Sequence, residues 1–254
     1  MFKDKVSLIT VSSDSFKTIK HTIDSVLDQT YPNIEYIIID NASTDGTVDK
    51  VKSYENKISK FISEPDKGIY NAMNKGIKLA TGNIVGILNS DDFFCNKNVI
   101  EKVVAAFQNK DVDSIYGDVQ FIDPANINKI IRFYSSKNFK PRKFKFGFMP
   151  AHPSFYVKKK YFELLGYYHE DYKIAADFEL LIRFLLVNNL RSSYIEMPFV
   201  SMRPGGVSNK SLKSTYILNK EIIRACRENG IKTNLFFVYS KYFIKFFEFF
   251  GHKD

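Results

Sequence analysis

Ile84-Val85-Gly86-Ile87-Leu88-Asn89-Ser90-Asp91-Asp92 decides how this chain is read: five residues without a polar side chain run into a turn that carries two adjacent carboxylates. The run is short and mostly aliphatic, as suits a strand covered on both faces. Upstream, Ile37-Ile38-Ile39 runs in the same way into Asp40-Asn41-Ala42-Ser43-Thr44-Asp45-Gly46-Thr47. Val6–Val11, Lys60–Ser63 and Ser114–Phe121 are further strand candidates. Helical patterns fill the gaps. Ile19, Ile23, Val26 and Leu27 recur at i, i+4, i+7, i+8, and Ile69, Met73 and Ile77 give a helix stopped by Thr81-Gly82. Thr47 onward and Val99 to Phe107 supply two more. Strands alternating with helices predict an α/β fold with a mostly parallel sheet flanked by helices. Ligands of such sheets bind beyond the carboxyl ends of the strands, so both acidic turns are expected to face one crevice.

After about residue 120 the pattern loosens. Lys137, Lys140, Arg142, Lys143 and Lys145 lie in a stretch with no acid from Ser135 to Gly147. A strand at Ser154–Val157, a helix from Ala176 to Val187, a strand around Tyr194–Val200 and a helix from Ser211 to Glu228 follow. No Gly/Ser-rich linker divides the 254 residues, and 44% hydrophobic with 26% charged residues is a globular composition that excludes disorder and low complexity. The two cysteines, Cys95 and Cys226, support neither a disulfide scaffold nor a zinc site, so a reducing compartment is expected. The start of the chain has no apolar signal core, and no run of about 18 apolar residues suggests a bilayer-crossing helix.

Charge is distributed unevenly. Residues 1 to 92 carry 11 basic against 13 acidic side chains, whereas residues 93 to 254 carry 26 against 15, so the whole excess of +9 is C-terminal. The second half is therefore expected to meet something anionic: nucleic acid, acidic lipid or a phosphorylated substrate. Nucleic acid is set aside, because there is no helix-turn-helix, zinc-finger or RNA-binding signature. Asp91 and Asp92 would repel each other unless a cation or hydrogen-bond donors compensate. Oxygen-only ligands favour Mg²⁺ or Mn²⁺ with substrate phosphates completing the shell, which predicts a metal-chelated diphosphate. Turn formation or helix capping is the competing explanation, and it weighs most for Asp45.

Asp40 through Thr47, Glu64-Pro65-Asp66-Lys67-Gly68-Ile69-Tyr70-Asn71-Ala72-Met73-Asn74-Lys75-Gly76-Ile77, Thr81-Gly82 and Asn89-Ser90-Asp91-Asp92, in that order, resemble the donor half of family-2 glycosyltransferases of the GT-A fold. The similarity is strong over residues 5 to 125. It continues through Ala151-His152-Pro153-Ser154-Phe155 and Ala175-Ala176-Asp177-Phe178-Glu179 to about Ser208. The resemblance implies a Rossmann-like GT-A domain over residues 1–210, its halves 1–125 binding the nucleotide sugar and 126–210 the acceptor; the residue pattern adds a helical segment at 211–254. It implies an inverting hexosyltransferase that uses a nucleotide-sugar donor, usually a UDP-sugar. By position, Thr10 and Val11 would border the base, Asp40 would accept from uracil, and Lys67 would lie near the nucleotide. Asp91 would contact ribose or metal, and Asp92 would bind the metal. Asp177 matches the catalytic carboxylate, a general base toward the acceptor hydroxyl. It also opens a helical pattern, where charge near the N-terminus is favourable for its own sake, and Glu179 is its substitute. His152 and Arg203 would meet acceptor or phosphate, Arg203 within a loop running to Ser208. Asn89, Asn71 and Ala176 depart from the commonest family pattern, where Asp, Asp and Glu are frequent.

From Leu235 to Phe250 the chain holds nine aromatics, with Lys241, Lys245 and Glu248 at i, i+4, i+7. This amphipathic tail suits an interfacial helix lying on a bilayer; packing on the domain or on a dimer partner is the alternative. Membrane docking makes a lipid-linked saccharide acceptor the expected partner, on the cytoplasmic face of the inner membrane and in cell-surface polysaccharide synthesis. A catalytically silent nucleotide-sugar-binding protein and a nucleotidyltransferase are the competing functions.

Overall fold

The structure, a computed structural model, describes residues 4–109, 111–205 and 211–241. Strands β1 (Val6–Ser12), β2 (Ile34–Asp40), β3 (Lys60–Ser63) and β4 (Ile84–Ile87) alternate with helices α1 (Ile19–Leu27), α2 (Thr47–Lys52) and α3 (Ile69–Leu79). A short β5 (Phe93–Phe94) and α4 (Val99–Phe107) lead to the hairpin β6 (Ser114–Asp123) and β7 (Asn126–Tyr134). There follow β8 (Tyr156–Lys158), α5 (Lys160–Leu165), α6 (Ala176–Ile182), β9 (Ser192–Met202) and α7 (Leu212–Glu228). The strands form one sheet in the order β3-β2-β1-β4-β8-β6-β9-β5, with β7 paired to β6.

The first four strands pair in parallel, as their buried aliphatic sequences require. Their register brings Ser12 opposite Asp40 and Asp40 opposite Ser63, so three strands end at one level. Farther along, β8 runs antiparallel between β4 and β6, while β9 is parallel to β6. The parallel pairing expected for most of the sheet thus belongs chiefly to the half built from repeated βαβ units. Close approach is enforced at two glycines. A Cβ at Gly76 of α3 would lie 2.4 Å from Ile9 Cγ2, and one at Gly86 of β4 would lie 2.2 Å from the Tyr156 ring. One core packs α3, α6 and α7 on one face of the sheet; the other packs α1 and α4 on the opposite face.

Three boundaries differ from the sequence expectation. His152–Ser154 forms a 3₁₀ turn around Pro153, so β8 begins only at Tyr156. The helix expected to reach Val187 changes at Arg183 into a π turn, Arg183–Val187. The loose stretch after residue 120 contains β7, whose residues are almost all exposed and so lack a buried alternating face. Ser211 caps α7, accepting from Ser214 N–H at 3.1 Å. Val238, in the helix at residues 235–241, is fully buried against α7's core. Of the aromatic tail, residues 242–254 lie outside the described residues, and with them the expected stripe positions Lys245 and Glu248. Among the described residues no helix is long and apolar enough to cross a membrane.

At the amino ends of the strands Glu35 is a buried acid with no shortage of partners. Its carboxylate accepts from Ser7 Oγ at 2.6 Å and Thr81 N–H at 2.7 Å, and lies 3.2 Å from Lys60 Nζ. Burial opposes its charge, but these donors outweigh burial and hold its pKa down to about 2. The acids at the other end of the sheet are treated differently.

Candidate functional site

The first wall of the site is built on the exits of β1, β2 and β3. Asp40 is fully buried, and its carboxylate accepts from Ser12 Oγ at 2.8 Å, Ser43 Oγ at 2.6 Å, Ser43 N–H at 2.9 Å and Ser63 Oγ at 2.7 Å. A carboxylate offers about four acceptor positions, and all four are used. Asp40 therefore ties the three strand exits together, and a bond from a base to it requires one of these hydroxyls to turn away. Thr10 is also fully buried, its hydroxyl 3.1 Å from that of Tyr36, so its side chain serves the core while the following Val11 lies at the strand end. Asp45 is a turn residue ahead of α2: its carboxylate accepts from Thr47 N–H at 3.0 Å and Phe16 N–H at 3.0 Å. Lys67 is exposed, and its backbone N–H donates to Asn71 Oδ1 at 3.3 Å.

The bend between β1 and α1 joins this wall to the Asp91-Asp92 turn. Asp14 N–H donates to Ser43 Oγ at 2.8 Å, Ser15 N–H to Thr47 Oγ1 at 2.8 Å, and Ser15 Oγ lies 2.7 Å from Ser90 Oγ. Thr22 Oγ1 of α1 is shared between the carbonyls of Ser90, at 3.0 Å, and Asp92, at 2.7 Å. The two acidic turns are thus tied to each other through this bend.

Asp92 is buried while Asp91 is partly exposed. Burial, reinforced by the neighbouring Asp91, pushes the Asp92 carboxyl well above the usual carboxylate range, and Arg203 only partly offsets this. Arg203, at the end of β9, donates to the Asp91 carbonyl, lies 3.2 Å from His21 Nδ1 and stacks over Phe93, 5.3 Å from its centroid. Beyond Gly205 the expected loop, Gly206 to Ser208, lies outside the described residues. Asn89 Oδ1 is buried without a hydrogen-bond partner. Two adjacent carboxyls only partly offset by Arg203, with an unpartnered amide oxygen in the same turn, supply hard-oxygen donors of the kind that suits Mg²⁺ or Mn²⁺. Among the described residues no three acids, histidines or cysteines gather into a complete ion cage.

The second part of the site lies around Asp177 in the first turn of α6. Its Oδ1 accepts from Phe178 N–H at 2.7 Å. Burial raises its pKa above the usual value, and His152 pulls the other way. Burial lowers the pKa of His152, keeping it neutral at pH 7, and its Nε2 lies 3.0 Å from the Tyr168 hydroxyl. Tyr168 stacks on Tyr70, ring centroids 5.7 Å apart. Glu179 faces elsewhere: Arg183 Nε and Nη2 donate to its two oxygens at 3.0 and 2.8 Å, so it does not stand in for Asp177. His152 and Asp177 are therefore brought together, and Arg203 joins Asp91 and Asp92.

Several contributors went unread in the sequence. Tyr70 and Asn74 of α3 reach across to the segment ahead of α6: Tyr70 OH donates to the Ile174 carbonyl, and Asn74 Nδ2 donates to the Tyr168 carbonyl at 2.9 Å. Their spacing at i, i+4 on an amphipathic helix was the available signal. His21 is visible only because the fold sets α1 beside β9.

A sequence profile described as Glycosyl transferase family 2 matches residues 7–164. An uncharacterized glycosyltransferase of Mycobacterium tuberculosis is 33% identical over 188 residues, covering 72% of this chain and 69% of that protein. Among solved structures, Staphylococcus aureus TarS 1-349 in complex with UDP-GlcNAc superposes with a TM-score of 0.69 at 19% identity, covering 87% of this chain and 66% of that one. The match spans 39% of a longer TarS chain. A mannosyltransferase from Pyrobaculum calidifontis, PcManGT, in complex with GDP-Man and Mn²⁺, gives a TM-score of 0.64 at 19% identity over 89% of this chain and 64% of that one.

Proposed function

The chain belongs to glycosyl transferase family 2, and from that membership we propose a metal-dependent, inverting transfer of a sugar from a nucleotide diphosphate donor to an acceptor hydroxyl. The observation that carries this reading is the Asp91-Asp92 turn at the exit of β4, with its buried carboxyl only partly compensated by Arg203. TarS binds UDP-GlcNAc and PcManGT binds GDP-Man with Mn²⁺, which supports a nucleotide sugar, with UDP the first choice of nucleotide, and a divalent ion.

Asp91 and Asp92 would hold the ion. When bound, it supplies a Lewis acid for the charge that builds on the leaving diphosphate. Arg203 adds a fixed positive charge on the same side, its guanidinium already oriented by Phe93 and His21. Asp177 removes the proton from the acceptor hydroxyl as the new bond forms. Neutral His152, hydrogen-bonded to Tyr168, holds the ring wall beside Asp177. Val11 and Lys67 would line the nucleotide end, backed by the fully buried Thr10, where Asp40 fixes the surrounding turns.

Titration calorimetry with a panel of nucleotide sugars tests this directly. One donor should bind at least about tenfold more tightly with Mn²⁺ than without, and turnover should release the nucleoside diphosphate. Pyrophosphate release would instead identify a nucleotidyltransferase.

The acceptor half carries the basic excess, and we infer a lipid-linked acceptor at an anionic membrane surface. Lys145 lies over the rings of Phe146 and Phe237, which pack edge to face at 5.4 Å, while Leu235, Phe236 and Tyr239 are exposed beside them. Deleting residues 231–254 would also remove buried Val238, so point changes are the cleaner test. Leu235→Ser with Phe236→Ser should lower co-sedimentation with phosphatidylglycerol vesicles about tenfold or more, at roughly 1–3 kcal/mol of lost burial per side chain. Unchanged sedimentation assigns this surface another role.

A further inference from the structure

The segment of residues 168–175 that delivers Asp177 to the site has little regular structure of its own and is suspended between two helices. From α3, Asn74 clasps the backbone of Tyr168, donating to its carbonyl at 2.9 Å and accepting from its N–H at 3.0 Å. Asn71 and Asn74 also donate to the Glu170 carboxylate, each at 2.9 Å, and Tyr70 OH holds the Ile174 carbonyl. From the other side α7 grips the backbone of this segment through one carboxylate, Glu221. Its Oε1 accepts from Lys173 N–H at 2.8 Å, and its Oε2 accepts from Ile174 N–H at 2.8 Å and Ala175 N–H at 2.9 Å.

Three consecutive backbone donors converging on one carboxylate fix both the path and the rotation of the peptide planes, since each bond is charge-assisted. Ala175 is the N-cap of α6, so the grip ends two residues before Asp177. The other contacts of α7 with this region are peripheral by comparison: Arg224 pairs with Asp171, and Tyr172 OH donates to Glu228. They dock the helix. Among the described residues, Glu221 is the side chain that reaches the N–H row leading to Asp177.

We propose that Glu221 is a positioning residue for the transfer reaction, holding the backbone that aims Asp177 at the acceptor hydroxyl and placing a fixed negative charge behind it. This rests on the reading of Asp177 as the base. The groups that face Asp177 are His152 from the 3₁₀ turn, Tyr70 from α3, Tyr168 from the suspended segment and Glu221 from α7. Burial is the main cause of the raised Asp177 pKa and His152 opposes it, while the charge of Glu221 adds to the rise. Replacing Glu221 by a neutral isostere should therefore lower the pKa of the base as well as loosen its aim.

The experiment compares Glu221→Gln and Glu221→Asp in the full chain, measuring kcat, donor KM and the pH–rate profile. Glu221→Gln should lower kcat by roughly 10²-fold, as expected for a displaced catalytic group, with donor KM within about twofold of the parent. Its acid limb should move to lower pH. Glu221→Asp keeps the charge and shortens the reach, so kcat should fall while the acid limb stays in place; should the Gln variant fail to fold, this variant carries the test. Parental kcat in whichever variant folds, a loss expressed mainly in donor KM, or an acid limb unmoved in Glu221→Gln overturns the proposal. Asp177→Asn is run alongside. Retained transfer there removes the base assignment itself, whereas a dead Asp177→Asn with an indifferent Glu221 pair removes only the positioning role.

Discussion

Asp177→Asn should lower kcat by about 10³-fold, within the 10²–10⁴ range typical of a lost general base, and should leave nucleotide-sugar affinity within about twofold of the parent. The asymmetry follows from where the side chain sits. Asp177 touches its own helix start and is surrounded by His152, Tyr70 and Tyr168, whereas the acidic turn expected to hold the diphosphate follows β4. An amide keeps the shape and loses only the ability to take a proton. The parent enzyme should show an acid limb at a pH above the ordinary carboxylate range, because burial raises the pKa of Asp177 in the fold. The base works deprotonated, so the rate falls as pH drops through that raised value, and the residual rate of the variant should lack this limb. A matched fall in donor affinity, or an unchanged rate, would contradict the assignment.

Asp92→Asn should separate activity from stability in opposite directions. Transfer is expected to fall by on the order of 10²–10³-fold, and Mn²⁺ should no longer tighten donor binding, because one of two hard ligands becomes a neutral amide. The folded protein, however, should become more stable at pH 8. Asp92 is buried with its pKa raised well above normal, so the native state prefers it protonated; the parent is most stable below the unfolded-state pKa and loses stability as pH rises through the folded-state value. Removing the charge abolishes that loss. Tm should rise by about 2–4 °C per kcal/mol recovered at pH 8 and change little at pH 3.5. Equal destabilisation at both pH values would mean that Asp92 serves only the fold.

The sequence made part of this legible for a physical reason. Buried parallel strands cannot alternate, and their exits carry polar turns, so β1 to β4 and both acidic clusters stand out as abrupt changes from aliphatic to acidic residues. The exposed hairpin strand β7 offers no such contrast. Asp45 and Asp40 show the limit within the site itself: both are acids at the end of the same strand or just past it, yet one pins the turn ahead of α2 and the other is saturated by three serines and a backbone amide. Residue type and local spacing do not distinguish these fates, because the partners of Asp40 come from three different strand exits. Glu221 is less legible still. On its helix it reads as one more surface acid, and only the packing of α7 against α6 turns it toward Lys173, Ile174 and Ala175.

The bend at Asp14 and Ser15 has a thermodynamic consequence. By bonding Ser43 and Thr47 on one side and Ser90 on the other, it makes the rim of the two acidic turns a preorganised surface. The ordering entropy of that rim is charged to folding, once, and does not recur with each arriving donor. Affinity there can then come from few contacts, and a product that must leave after every cycle is not held by a rim that has closed around it.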